Sequence, residues 1–194
     1  MENINNTWYS TIFKQKNIFI EFFAVIFSVV VLGILANITV PLWPVPVTMQ
    51  TFGVFLIAFF FGSKRGVIAI LSYIVAGLIG FGVFAGYKSG YAALIGPTAG
   101  YIIGFIFMAI IVGLLIEKGF GRDFKSVMYC MLVGQVVLYI CGLIGLSFFL
   151  GHPGIMTVLQ LGFFPFIIGD MIKALAAGAL FPKVWKGLSK ISSN

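Results

Sequence analysis

Long apolar runs, broken by short polar or Pro/Gly-rich segments, dominate the chain. Six stretches are candidate membrane crossings: residues 18–40, 51–62, 66–85, 97–116, 127–150 and 159–180. A spanning helix needs about 20 mostly apolar residues. The second stretch has only twelve, so either residues 45–50 extend it across the bilayer or it is partly re-entrant. Phe, Ile, Leu and Val fill each stretch without the alternating polar positions that a lipid-facing β-barrel requires. The pattern predicts an all-α integral membrane protein, a compact bundle of six transmembrane helices.

Composition strengthens this reading. Of 194 residues, 61% are hydrophobic and 9% charged, and the mean hydropathy of +1.14 exceeds what a soluble domain needs to bury one core. Residues 1–194 are therefore expected to form a single transmembrane domain, with a short cytoplasmic N-terminal segment over about 1–17 and a short cytoplasmic tail over about 183–194. No cleavable signal is expected, because the first seventeen residues are largely polar and the run after them is too long for a secretory h-region. Cys130 and Cys141 lie eleven residues apart in one apolar stretch. That spacing suits neither a metal motif nor a disulfide framework, so both are expected to be buried packing residues. No metal or cofactor is expected.

The net charge of +7 takes its meaning from its distribution. Lys14 and Lys16 precede the first stretch. Lys64 and Arg65 separate the second and third, Lys118, Arg122 and Lys125 separate the fourth and fifth, and Lys183, Lys186 and Lys190 follow the last. These ten of the twelve basic residues share one side, Lys88 lies on the other and Lys173 is inside a stretch. The positive-inside rule then puts both termini in the cytoplasm of a cell-membrane protein. Basic residues divided among short loops, without aromatics gathered on one face, exclude a nucleic-acid partner. Trp8, Trp43 and Trp185 fall near stretch ends, where indole rings favour the membrane interface.

Asp170 and Lys173 are an acidic and a basic residue well inside a predicted span, in Gly169-Asp170-Met171-Ile172-Lys173-Ala174. Their separation of three places both on one helix face. Facing lipid, each would cost about 2.5–3.5 kcal/mol near the bilayer centre, so both are expected to face the bundle interior. Two roles suit them there. The pair can neutralise itself and tie helices together, or it can form the polar site for a ligand. An aspartate accepts from amide or ureido N–H groups, and a lysine donates to a carbonyl or carboxylate.

Small residues mark two helices. Ala174, Ala176, Ala177, Gly178 and Ala179 follow the pair, and Gly96, Gly100 and Gly104 recur at spacing four in the fourth stretch. Such faces permit close helix packing, within the bundle or with a partner helix. On the outer side, Pro41-Leu42-Trp43-Pro44-Val45-Pro46 cannot be helical throughout and is expected to be extended, capping the bundle. Gly86-Tyr87-Lys88-Ser89-Gly90-Tyr91 combines flexible glycines, two tyrosines and the outer lysine. It suits either a mobile lid over a pocket or a solvated loop.

At these residues the chain resembles a known family. Val45-Pro46-Val47-Thr48-Met49-Gln50-Thr51, Val83-Phe84-Ala85-Gly86, Gly96-Pro97-Thr98-Ala99-Gly100-Tyr101 and Gly169-Asp170-Met171-Ile172-Lys173 are similar, in order and spacing, to motifs of the BioY family, the biotin-specific substrate-binding (S) components of energy-coupling factor (ECF) transporters. The resemblance covers roughly residues 36–180. It implies a six-helix S-component fold that captures biotin near the outer face. It also implies a transmembrane coupling subunit and two cytoplasmic ATPases as partners. Asp170 and Lys173 inherit a ligand role by motif match, Tyr87, Lys88 and Ser89 belong to the loop that closes over ligand, and Gln50 of the first motif joins the candidate substrate-binding residues. Two features depart from the family pattern. The first helix offers Ala24-Val25-Ile26-Phe27-Ser28 where many S components have Ala-x-x-x-Ala for docking, and Tyr87-Lys88-Ser89 stands where many relatives have more glycine.

Other classes have less support. A rhomboid-like protease needs a Ser–His pair across helices, whereas His152 follows Ser147 on the same segment, a disposition expected to disfavour the pair. No cluster of His, Cys and carboxylates suits a metalloenzyme, and no G-x-x-x-x-G-K-[ST] run holds phosphates. An autonomous facilitator or channel for biotin or another small molecule is the alternative to a binding subunit. A channel should be polar on several helices, and the strong polarity falls on the last one.

Overall fold

A computed structural model describes residues 7–13 and 17–192. Its helices in chain order are α1 (Trp8–Ile12), α2 (Ile18–Asn37), α3 (Gln50–Leu78), α4 (Ala92–Ile95), α5 (Ala99–Glu117), α6 (Phe124–Phe149), α7 (Ile155–Gly162) and α8 (Phe164–Ser192). A two-residue hairpin, β1 (Thr39–Val40) with β2 (Val47–Thr48), joins α2 to α3. The prolines at 41, 44 and 46 keep this connection out of the helical region, as expected. Among the described residues, five helices are long and apolar enough to cross a membrane: α2, α3, α5, α6 and α8.

Within α3 one residue is not helical, Gly62 at φ 77° and ψ −162°. In a straight helix Gln50 and Tyr73 would lie about 35 Å apart, yet Gln50 Nε2 donates to Tyr73 Oη at 2.7 Å. The helix therefore doubles back at Gly62, and its arms 50–61 and 63–78 run side by side, with Gly66 against the backbone of Ala58. The positive φ favours glycine, and a Cβ at Gly62 would lie 2.5 Å from Glu117 Oε1. That carboxylate caps the second arm, accepting from Ser63 N at 2.7 Å and from Ser63 Oγ at 2.8 Å. An acid at a helix N-terminus satisfies free N–H groups and the helix dipole together. Because of this cap the second arm starts at Ser63 rather than near 66, and it stops at Leu78, so residues 79–85 are loop although they are largely apolar.

The first arm rises only about 18 Å over its twelve residues, too little to cross a roughly 30 Å hydrocarbon core. The space beyond its N-terminus is taken by the hairpin and by the cavity described below.

Close backbone approach holds α5 in the centre. A Cβ on Gly100 would lie 2.5 Å from the Cys141 carbonyl oxygen, and one on Gly145 would lie 2.6 Å from Gly100 Cα. Farther along, a Cβ on Gly113 would meet Ser63 N at 2.3 Å, so the same helix packs against the α3 turn. Gly100 and Gly104 thus serve packing against α6, whereas Gly96 lies outside that seam. The small residues of α8 are divided, with Ala177 and Gly178 buried and Ala176 and Ala179 exposed. Cys130 is buried, but Cys141 is only half-buried, and both are free thiols.

Other features of the bundle follow from packing. Trp8 is buried against Phe59 and, edge-on, Phe181 at 5.3 Å, so α1 packs into the bundle. The stretch 159–180 is interrupted at Phe163, because the Gly162 carbonyl is taken by Tyr101 Oη at 2.6 Å and Pro165 lacks an N–H. Past Pro182, α8 continues to Ser192, held by Trp185 and Leu188 on the core and by Arg122 over the Trp185 ring at 5.1 Å. Only Ser28, Leu32 and Ala36 of α2 are buried. Ser28 is buried and Ala24 packs, partly buried, against the core, so the Ala24–Ser28 pair turns toward the bundle.

Arg65 and Arg122 lie at one end of the bundle and Lys88 at the other. Arg65 pairs with Glu21 at 2.6 Å and covers the Tyr9 ring, and Arg122 covers Trp185. Lys14 and Lys16 lie outside the described residues.

Gly100→Ala should lower the melting temperature in detergent, since overpacking a tight seam costs about 1–3 kcal/mol. Gly96→Ala should leave it unchanged, because a Cβ there meets its nearest neighbour at an ordinary 3.4 Å.

Candidate functional site

A cavity of about 390 Å³ opens at the loop end of the bundle, inside the usual 300–1,000 Å³ range for ligand pockets. Aromatic and aliphatic side chains form most of its wall, among them Phe84, Tyr101, Ile102, Phe105, Leu138 and Phe166. Into it converge the polar groups of four elements: Thr48 of β2, Gln50 and Thr51 of α3, Gln135 and Tyr139 of α6, and Asp170 and Lys173 of α8.

The α8 pair organises this cluster. Lys173 is 6% exposed, and its ammonium donates to Asp170 Oδ1 at 2.7 Å, to the Thr48 carbonyl at 2.9 Å and to Thr51 Oγ1 at 2.8 Å. An ammonium has three N–H groups, so its donors are all used. Asp170 Oδ2 accepts from Gln135 Nε2 and Tyr139 Oη. Three charge-assisted donors from two helices thus hold one carboxylate. Both charges are compensated internally, as burial in a low-dielectric site demands.

The sequence-predicted residues fall unequally around this cluster. Asp170, Lys173, Gln50, Lys88 and Ser89 line the cavity. The Tyr87 side chain does not; it is 77% exposed. Its φ of 55° turns the ring away, and its N–H is held by Asn37 Oδ1 at 2.8 Å. Gln135, Tyr139, Thr48 and Thr51 were not singled out by sequence reasoning. Gln135 had a signal, being the one amide side chain in the stretch 127–150 with Tyr139 four residues on; Thr48 and Thr51 had theirs in the Val45–Thr51 motif, on either side of Met49 and Gln50.

Two expectations need correction. Polarity is not confined to the last helix, since the cluster draws on α3, α6 and β2 as well. It still does not form a through-path, because Val54, Phe55, Ala58, Met108 and Val112, each at most 1% exposed, fill the bundle beyond it. Ser147 and His152 do meet, Oγ to Nδ1 at 3.3 Å, because the left-handed His152 (φ 59°) folds back over the end of α6 and its N–H bonds the Ser147 carbonyl. The contact is exposed and is a helix-end arrangement, and no described carboxylate orients the imidazole as a triad would need.

A pocket with a polar cluster, set in a multi-pass apolar bundle, is the architecture of a membrane protein suited to a small molecule at one face. Residues 10–190 match the model of the BioY family. The biotin transporter BioY of Thermotoga maritima is 39% identical over 153 residues, covering 79% of this chain and 87% of that protein. The probable biotin transporter BioY of Pyrococcus horikoshii is 39% identical over 142 residues, covering 73% and 82%. Among solved structures, the S-component for biotin from an ECF-type ABC transporter superposes with a TM-score of 0.76 at 26% identity, covering 87% of this chain and 92% of that one. The chain belongs to the BioY family, a family of transporter components and not of enzymes.

Lys173→Met alone strands the Asp170 carboxylate and should cost about 3–5 kcal/mol, whereas Asp170→Asn/Lys173→Met removes both charges and should recover most of that loss. Thermal unfolding of the two variants in detergent checks the difference.

Proposed function

We propose that this chain is the biotin-binding membrane subunit of an ECF-type uptake system and that it captures biotin in the cavity around Asp170 and Lys173. The observation that carries the reading is the buried, cavity-facing ion pair. A ureido ring presents two N–H donors, and Asp170 Oδ1, which accepts only from Lys173 among the described hydrogen bonds, keeps lone-pair capacity for them. The apolar wall suits the ligand's hydrocarbon and thioether portions. Lys88 and Ser89 on the loop over the cavity suit its carboxylate, and Gln50 supports the wall beside Thr48.

The finer topology belongs to the same proposal. With the first arm of α3 and the hairpin before it counted together as one crossing and the second arm as another, the chain makes six crossings, placing the basic ends and both termini in the cytoplasm and the cavity at the outer face of the plasma membrane. The chain has no phosphate-binding run of its own, so energy for release inward comes from partners, a transmembrane coupling subunit and two cytoplasmic ATPases.

Purified protein in detergent should bind biotin without ATP, giving a saturable isothermal titration. Asp170→Asn should weaken that affinity about ten- to a hundredfold, because a lost hydrogen bond to a charged group costs about 1.5–3 kcal/mol, and Asn turns donors toward donors. The double variant Asp170→Asn/Lys173→Met should be folded and unable to bind. Wild-type affinity in it would reduce the pair to a structural role.

A cysteine introduced near Asn194 should resist impermeant maleimide in intact cells and react after lysis. Labelling from outside would reverse the assigned orientation.

A further inference from the structure

A chain of hydrogen bonds leaves the polar cluster and ends beneath the loop of residues 79–91. Lys173 donates to the Thr48 carbonyl, Thr48 Oγ1 donates to Gln50 Oε1 at 3.0 Å, and Gln50 Nε2 donates to Tyr73 Oη at 2.7 Å. Tyr73 Oη then donates to the Val83 carbonyl at 2.9 Å. The direction of the chain is fixed by chemistry. A carbonyl only accepts, so the phenol must give its proton to Val83 and take one from the Gln50 amide. That choice turns the amide oxygen toward Thr48, whose hydroxyl must donate. Hydrogen bonds aligned head to tail in a low-dielectric interior reinforce one another.

Tyr73 is fully buried and does not line the cavity, whereas Gln50 at its near side and Phe84, next to Val83, both do. Other ties hold the loop as well: the Gly90 N–H donates to the Gly77 carbonyl at 2.8 Å, the Phe84 N–H to the Lys88 carbonyl at 3.1 Å and the Tyr87 N–H to Asn37 Oδ1 at 2.8 Å. Phe84 sits edge-on to the Tyr73 ring at 5.5 Å and occupies the slot over Gly77, where a Cβ would lie 2.1 Å from its ring. Gly86 and Gly90 have positive φ, so the tip has little intrinsic stiffness and its order depends on these few attachments, of which the Tyr73 bond alone leads back to the cavity cluster through Gln50.

We propose that Tyr73 is a positioning residue that ties the cavity wall to the base of the loop, so that residence of a bound ligand depends on a phenol that the ligand does not touch. This rests on the reading that residues 86–91 cover bound biotin. Tyr73→Phe keeps the ring against Phe84 and removes only the relay. The Gln50 amide and Val83 carbonyl are then left unpaired in the folded state, and the closed loop loses its advantage over open arrangements in which those groups reach water.

The test compares Tyr73→Phe with its parent, each carrying a spin label at Tyr87→Cys in a Cys130→Ala/Cys141→Ala background. Without biotin the label should be more mobile in the variant. Labelled biotin should leave it about five- to thirtyfold faster, with association within about twofold of the parent. Unchanged mobility in a folded variant overturns the proposal, whether or not release is faster. Greater mobility with unchanged release overturns it too, since the loop would then not govern residence. If Tyr73→Phe fails to fold, Thr48→Val breaks the relay one link earlier with little change of shape and should move both readouts the same way by a smaller factor; no movement overturns the relay. A parent that takes up no biotin overturns the functional reading, while label mobility without biotin still decides whether Tyr73 holds the loop.

Discussion

Lys173 and Asp170 bring two full charges into a bundle surrounded by hydrocarbon, where an isolated charge costs several kcal/mol. Their mutual contact neutralises the pair but leaves two ammonium protons and most of the carboxylate lone pairs unsatisfied. The chain meets that demand with groups distant in sequence: the Thr48 carbonyl and Thr51 hydroxyl on one side, Gln135 and Tyr139 on the other. Satisfying one pair therefore fixes the relation of β2, α3, α6 and α8 to one another. The cavity is the space left above that junction.

The junction can form only because the helices around it come close. Lipid tails are as apolar as leucine, so nothing like the aqueous hydrophobic effect drives helices together in a membrane, and contact depends on packing. Gly100 against Gly145 brings the α5 and α6 backbones into contact, which sets Tyr101 and Tyr139 facing the same space. Gly113 against the Gly62–Ser63 turn does the same at the other end, where Glu117 replaces the missing N-terminal hydrogen bonds of the second α3 arm. A short first arm follows from this turn, and a short arm leaves room for a ligand.

Residues that declare themselves in the sequence are those whose type is improbable for their surroundings. Asp170 and Lys173 stand out in an apolar run, prolines at 41, 44 and 46 exclude helix, and glycines at spacing four imply a tight seam. Gln135 was visible on the same principle and was overshadowed by the charges. Thr48 contributes a backbone carbonyl to Lys173, an atom every residue has, so no residue type could announce it. Nothing local to Trp8 announces that Phe59 and Phe181 form a slot for it. Ser147 and His152 share one segment and so make no pair across helices; their contact arises because His152 adopts a left-handed conformation and folds back, which its residue type does not announce.

By itself the sequence determined the solvent, the class and the chemistry. A mean hydropathy of +1.14 can be accommodated only in a bilayer, where unpaired backbone groups force helices, and two ionisable residues three apart must then face inward. These follow from sums over residue types and from short-range periodicity, which need no knowledge of neighbours. The tertiary structure decided which groups surround the pair, that α3 folds back at Gly62, that α8 runs on past Pro182, and that Tyr87 points away while Lys88 and Ser89 border the cavity. Those outcomes depend on contacts between residues tens of positions apart, and the energy of such a contact exists only once the chain has brought both partners to the same place.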